Sequence, residues 1–158
     1  MSVRLQDQAV RMTQEALSDL IRAVEALPED KRDWKPAESA RSALDQLREV
    51  ALSPQFHRSI LVTSQPPAPE LHAQLGQQAA QLTDLESCRA AALQATSDLC
   101  GAISQVPDAW LEREVTLPFK RAMTVSLADV CFLHYWNTVY HLGQVNYLQT
   151  LLGDREMH

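Results

Sequence analysis

Apolar residues recur along this chain at three- and four-residue steps, and strand-like alternation is scarce. Leu5, Ala9, Met12, Ala16, Leu20, Val24 and Leu27 form one stripe, which predicts a first helix over residues 5–27. Pro28 and the charged run at 29–32 end it. Residues 33–39 read as a loop, with the Trp34 ring set to cap one end of a core and the residue before Pro36 kept extended. Ser42 is suited to N-cap a second helix, with Asp45 in its first turn and Leu44, Leu47, Val50 and Ala51 on its inner face. Pro54 lacks a backbone donor and is expected to bend or break that helix before the pattern resumes through Phe56, Ile60, Leu61 and Val62. Residues 64–69 hold three prolines and form a loop.

A short helix is expected over residues 70–81. Thr83-Asp84-Leu85-Glu86 then reads as a capping box that opens the third long helix. Its buried side is predicted from Leu85, Ala92, Leu93, Thr96, Leu99, Ala102 and Ile103, and Pro107 stops it. Residues 112–124 carry two β-like fragments on either side of Pro118-Phe119-Lys120, an irregular or weakly hairpin-like connection. Thr124 or Ser126 caps the last helix, which runs to about Leu152. Gly153 follows, where a left-handed stop is favoured. Four long helices, one short extra helix and an irregular connection make an all-α four-helix bundle, expected as a single domain over residues 1–158.

The last helix is apolar over more than one face. Such a helix is either central in its own molecule or shared with another, and a homodimer using part of it is expected over a monomer with exposed aromatics. Composition narrows the partners. Hydrophobic residues make up 46% and charged ones 22% of the chain, an ordinary globular balance. The net charge of −6, with scattered Lys and Arg, argues against nucleic acid. No run of about 18 apolar residues exists, so no membrane span is expected. The polar N-terminus passes directly into a helical pattern, unlike a signal peptide. Cys88, Cys100 and Cys131 fall in helical patterns without paired spacing. They read as packing residues in a reducing cytoplasm, with no disulfide framework.

Candidate chemistry concentrates in the last helix. Asn137 and His141 are one turn apart, about 6 Å along the axis, and project from one face. His134 shares that face but lies about 10 Å from His141, too far for one ion to take both. It is expected to line the mouth of a cleft, contact a substrate, or pack. His57 lies beyond the Pro54 break and is expected to stay apart. His72 and His158 read as surface residues. Gly143, inside a helix, is expected to admit a close neighbouring helix.

Trp34 with Pro36, Ser42, His141 followed by Gly143-Gln144, and Leu152-Gly153 together resemble the DinB/YfiT-like family. The resemblance implies a four-helix bundle that often holds a divalent metal, zinc or nickel, among three side chains. Family members usually carry His at the positions of Asn137 and His141. The third ligand usually lies seven residues after the Ser that opens the second helix, which here is Glu49. The implied metal set is therefore Glu49, Asn137 and His141. His134, Trp34 and Gln144 are possible cleft residues, Gln144 holding His141 in one tautomer. Beside this stand plainer readings: His141 as a hydrogen-bonded interior histidine, and Glu49 as a solvent-facing residue among Arg41 and Arg48. Two functions follow. One is a dimeric small-molecule or partner-binding protein with a weakened or lost metal site. The other, implied by some relatives, is a metal-dependent thiol transferase or isomerase acting on a small molecule.

Overall fold

The computed structural model describes residues 3–117, 121–156 and 158. Among them, α1 spans Leu5–Ala26, α2 Ala43–Thr63, α3 Pro69–Ala79, α4 Leu85–Gln105 and α5 Leu127–Leu151, with β1 at Glu114–Leu117 and β2 at Met123–Ser126. The four long helices form the bundle. α1 and α2 stand on a diagonal, and each packs against both α4 and α5. The short α3 leans on α2 and buries no residue.

Local sequence sets most of these boundaries. Ser42 Oγ accepts the Asp45 N–H, and the Asp45 carboxylate accepts the Ser42 N–H, both at 3.1 Å. Ser126 and Asp129 repeat the device at the start of α5. Gly153 sits at φ +92 after the last turn, in the left-handed region that glycine enters without strain.

Four expectations need correction. α2 runs unbroken through Pro54. Proline removes the N–H that would reach the Val50 carbonyl, and the Ser53 hydroxyl takes up that carbonyl instead, at 3.4 Å. The cap of α4 is Asp84 with Ser87, one residue later than the box expected from Thr83 and Glu86. The buried stripe of α4 is Cys88, Ala92, Thr96, Leu99, Cys100 and Ile103. Leu93 is exposed and Ala102 only half-buried, because the helix is rotated toward its two cysteines. The connection before α5 is a paired antiparallel hairpin, with Val115 opposite Val125 and Leu117 opposite Met123. Pro118-Phe119-Lys120, between the two strands in sequence, lies outside the described residues.

The core has two apolar halves. One gathers Leu20, Val24, Leu47, Val50, Ala92 and Val145 near the end where Trp34 packs. The other gathers Ile60, Leu99, Ile103, Leu117, Leu127 and Val130 beside the hairpin. Between them every long helix interrupts its stripe with a buried polar residue: Thr13, His57, Thr96 and His134. The bundle therefore has a polar waist. On α5 the usual arrangement is partly reversed, with His134, Thr138 and His141 inside and Trp136, Tyr140 and Tyr147 outside.

Candidate functional site

Along α2, Gln46, Glu49, Ser53 and His57 recur at three- and four-residue steps and so share one face. They meet His134, Asn137, His141 and Gln144 of α5. The meeting produces two clusters.

The outer cluster centres on His141. Its Nε2 lies 3.1 Å from Glu49 Oε1, and its Nδ1 is hydrogen-bonded to Gln46 Oε1. Gln46 Nε2 donates in turn to Gln144 Oε1 at 2.6 Å. Glu49 Oε2 forms an ion pair with Arg41 Nη1. The Tyr140 ring stands edge-on to the imidazole, with centroids 5.3 Å apart. His141 is only 1% exposed, whereas Glu49 is 41% exposed, so the cluster runs from the interior to the surface. Burial first, and the positive charge of Arg41 second, push the His141 imidazolium down to about 4. A neutral imidazole that gives its one N–H to Gln46 meets the carboxylate lone pair to lone pair. That contact holds only with a proton or a cation between the two atoms.

The inner cluster lies at the waist. His134 is fully buried, with Nδ1 3.1 Å from Ser53 Oγ and Nε2 3.1 Å from Thr96 Oγ1. Asn137 Nδ2 donates to Ser53 Oγ at 3.2 Å. Thr138 Oγ1 donates to the His134 carbonyl at 2.8 Å. The His57 ring packs 5.9 Å from that of His134, centroid to centroid, and its Nδ1 is buried without a hydrogen-bond partner among the described residues. Burial lowers His57 to about 4. Burial, then the charges of His57 and His141, lower His134 to about 3.

The structure thus brings Glu49 and His141 together and joins Gln144 to them through Gln46. It turns Asn137 to Ser53 of the inner cluster. His134 is interior rather than at a cleft mouth. Trp34 packs against the apolar core, with no hydrogen bond to either cluster among the described residues. His57, expected to stay apart, reaches the waist because α2 continues past Pro54. Arg41, Gln46 and Ser53 were not anticipated as site residues. The signal for Gln46 and Ser53 is a polar stripe through Glu49 at helical spacing. Arg41 carries no such mark.

A surface hollow of about 530 Å³ opens beside the outer cluster, lined among others by Arg41, Gln46, Tyr140, Gly143, Gln144 and Tyr147. A Cβ at Gly143 would meet nothing within 4 Å, so no helix of this chain packs closely there, contrary to expectation. Gly143 instead leaves the hollow wide.

A three-ligand metal centre does not fit these residues well. Glu49 and His141 offer two converging donors, but Asn137 is engaged elsewhere and Arg41 already holds the second carboxylate oxygen. Among the described residues, no group of three His, Cys, Asp or Glu side chains is placed to hold an ion. Among the described residues, no helix is long and apolar enough to cross a membrane.

The model of the DinB family matches residues 1–158. No curated protein matches the chain. Among solved structures, it is similar to YfiT from Bacillus subtilis, described as a probable metal-dependent hydrolase with an unusual four-helix bundle topology. The identity is 14%, the match covers 98% of this chain and 91% of that one, and the TM-score is 0.77. A DinB-like protein of Bacillus subtilis, YjoA, is 18% identical, with 96% and 95% covered and a TM-score of 0.68. A mycothiol-dependent maleylpyruvate isomerase is 11% identical, with 90% of this chain and 61% of that chain covered and a TM-score of 0.70. At these identities the likeness is one of fold.

Proposed function

This chain belongs to the DinB family, and from that premise we propose that it is a small-molecule-binding bundle, acting as a homodimer, whose metal site is weakened or lost. One observation carries the reading. Arg41 is paired with one oxygen of Glu49 and Asn137 is turned to Ser53, so two of the three expected ligands are already engaged by protein groups. Arg41 brings positive charge to the carboxylate from within the chain, which lessens its call for a metal ion. The adjoining hollow supports the ligand, since its volume falls within the roughly 300–1,000 Å³ of small-molecule sites.

The dimer rests on the outer face of α5. Trp136 is 65% exposed, with Val139 at 41% and Leu151 at 46%. Exposed apolar surface of this extent marks a contact face. Cys88, Cys100 and Cys131 are free and buried, which suits the reducing cytoplasm, and the chain works as one domain over residues 1–158.

Metal content tests the reading. The protein as purified, and after dialysis against zinc or nickel, is expected to hold well under one equivalent by mass spectrometry, with His141→Ala unchanged. Near-stoichiometric metal that disappears in His141→Ala overturns it. Light scattering is expected to give twice the 17.7 kDa chain mass. A monomer mass unchanged on concentration removes the dimer.

A second reading has its own support: a metal-dependent thiol transferase or isomerase acting on a small molecule. The 3.1 Å approach of His141 Nε2 to Glu49 Oε1 favours it, because that contact needs a positive particle between the atoms.

A further inference from the structure

We propose that the hollow receives the carboxylate end of a small aromatic acid, and that Arg41 is the group that recognises it. The inference rests on the reading of the hollow as a small-molecule site and specifies its ligand.

Charge is the first argument. Arg41 is the one charged residue among those lining the hollow, in a chain whose net charge is −6. Glu49 does not line it, and its carboxylate is held on Arg41 Nη1, which leaves the other N–H groups of the guanidinium to an incoming anion.

Hydrogen-bonding capacity is the second. Arg41 uses Nη1 on Glu49, and its Nε and Nη2 have no hydrogen-bond partner among the described residues. A guanidinium carries five N–H groups on a planar fork, so one edge can serve Glu49 while another takes a second carboxylate. Gln144 accepts from Gln46 through Oε1, and its Nε2 likewise has no partner among the described residues. Beside these N–H donors the lining holds the hydroxyls of Ser39, Tyr140 and Tyr147, which can donate as well. The Arg41 side chain is 53% exposed, and an ionised carboxylate, which only accepts, can take the place of water on such donors.

The walls give the rest of the ligand. Tyr140 and Tyr147 are 57% and 63% exposed and flank Gly143, where no side chain fills the floor. Two accessible rings around a bare backbone suit a flat apolar body. A phosphate dianion suits the site less. It would meet a single guanidinium whose other side already carries Glu49, whereas a monoanion matches one Arg and one amide.

The test is a titration of isotope-labelled protein, followed by amide chemical shifts, with benzoate, benzamide and benzylamine as anionic, neutral and cationic probes of one shape. Benzoate is expected to shift Gly143, Gln144 and Tyr147, and benzamide and benzylamine to bind at least about tenfold more weakly. Arg41→Gln should weaken benzoate about tenfold and leave benzamide unchanged. Arg41→Lys should recover part of the loss, and the amide spectrum of each variant reports whether it is folded. Equal binding of benzoate and benzamide at the hollow, or full benzoate affinity in folded Arg41→Gln, overturns the carboxylate inference and leaves the hollow as a ligand site. No shift at the hollow with any of the three probes overturns both.

Discussion

His134 and His141 lie two turns apart on α5, face the same helix and are equally hidden from solvent, yet their surroundings differ in kind. His134 is bonded at both ring nitrogens to uncharged hydroxyls, those of half-buried Ser53 and buried Thr96. His141 is bonded to Glu49, which is 41% exposed and reaches on to the still more open Arg41. A histidine whose partners are short, uncharged hydroxyls on neighbouring helices holds those helices together. One whose partners reach the surface can pass a change in solvent or ligand inward. The accessibility of the partners separates an architectural histidine from a candidate site, and the burial of the ring does not.

The two clusters are most forcibly tested together, by acid. His57, His134 and His141 are held at about 4, 3 and 4, against 6.5 for an unperturbed histidine. Between these values the unfolded chain takes up protons that the folded chain refuses. Stability is therefore complete above about pH 6.5 and falls as pH drops through the window toward 4, at up to about 4 kcal/mol per pH unit if all three stay neutral. Urea unfolding at a series of pH values measures the slope, and a flat profile between pH 7 and 5 would mean that none of the three rings is confined as described.

Single variants divide the clusters. His134→Ala takes the imidazole partner from the buried Thr96 hydroxyl, leaves Ser53 only Asn137 and the Val50 carbonyl, and opens a cavity, for an expected loss of roughly 3–4 kcal/mol. His141→Ala should lose only about 1–2 kcal/mol, because Glu49 keeps Arg41 and water can reach it. Equal losses in urea midpoints would erase the distinction. The smallest effect is expected at His57→Leu. Its Nδ1 has no partner to lose, so removing it should leave stability within about 1 kcal/mol of the parent or raise it. A loss above about 2 kcal/mol would show that the ring is tied into the waist.

Much of the architecture was readable in the residues themselves. The stripes of α1 and α2, the Ser42–Asp45 and Ser126 caps and the Gly153 stop are local signals with local causes. The approach of Glu49 to His141 followed from resemblance, through a count of seven from Ser42. What stayed hidden depends on how helices align with one another. Asn137 turns to Ser53 because α2 places a hydroxyl at its level, and no pattern within α5 encodes that level. His57 falls outside the site read from sequence because Pro54 predicts a bend or break, whereas one hydroxyl, that of Ser53, suffices to cover the freed carbonyl. The inner face of α5 was obscured by its composition, since an apolar stripe cannot be picked out of a helix that is apolar nearly all round.

The polar waist acts as an indexing pin for the bundle. If α5 slid by one turn, about 5.4 Å, apolar side chains would still meet apolar side chains above and below. The imidazole of His134, however, would leave Ser53 and Thr96 facing Val130 or Thr138. Greasy contacts tolerate such slippage, whereas a two-sided hydrogen bond across three helices accepts one alignment. The same lock that fixes α5 lengthwise thereby fixes where its next two turns present His141 and Gln144.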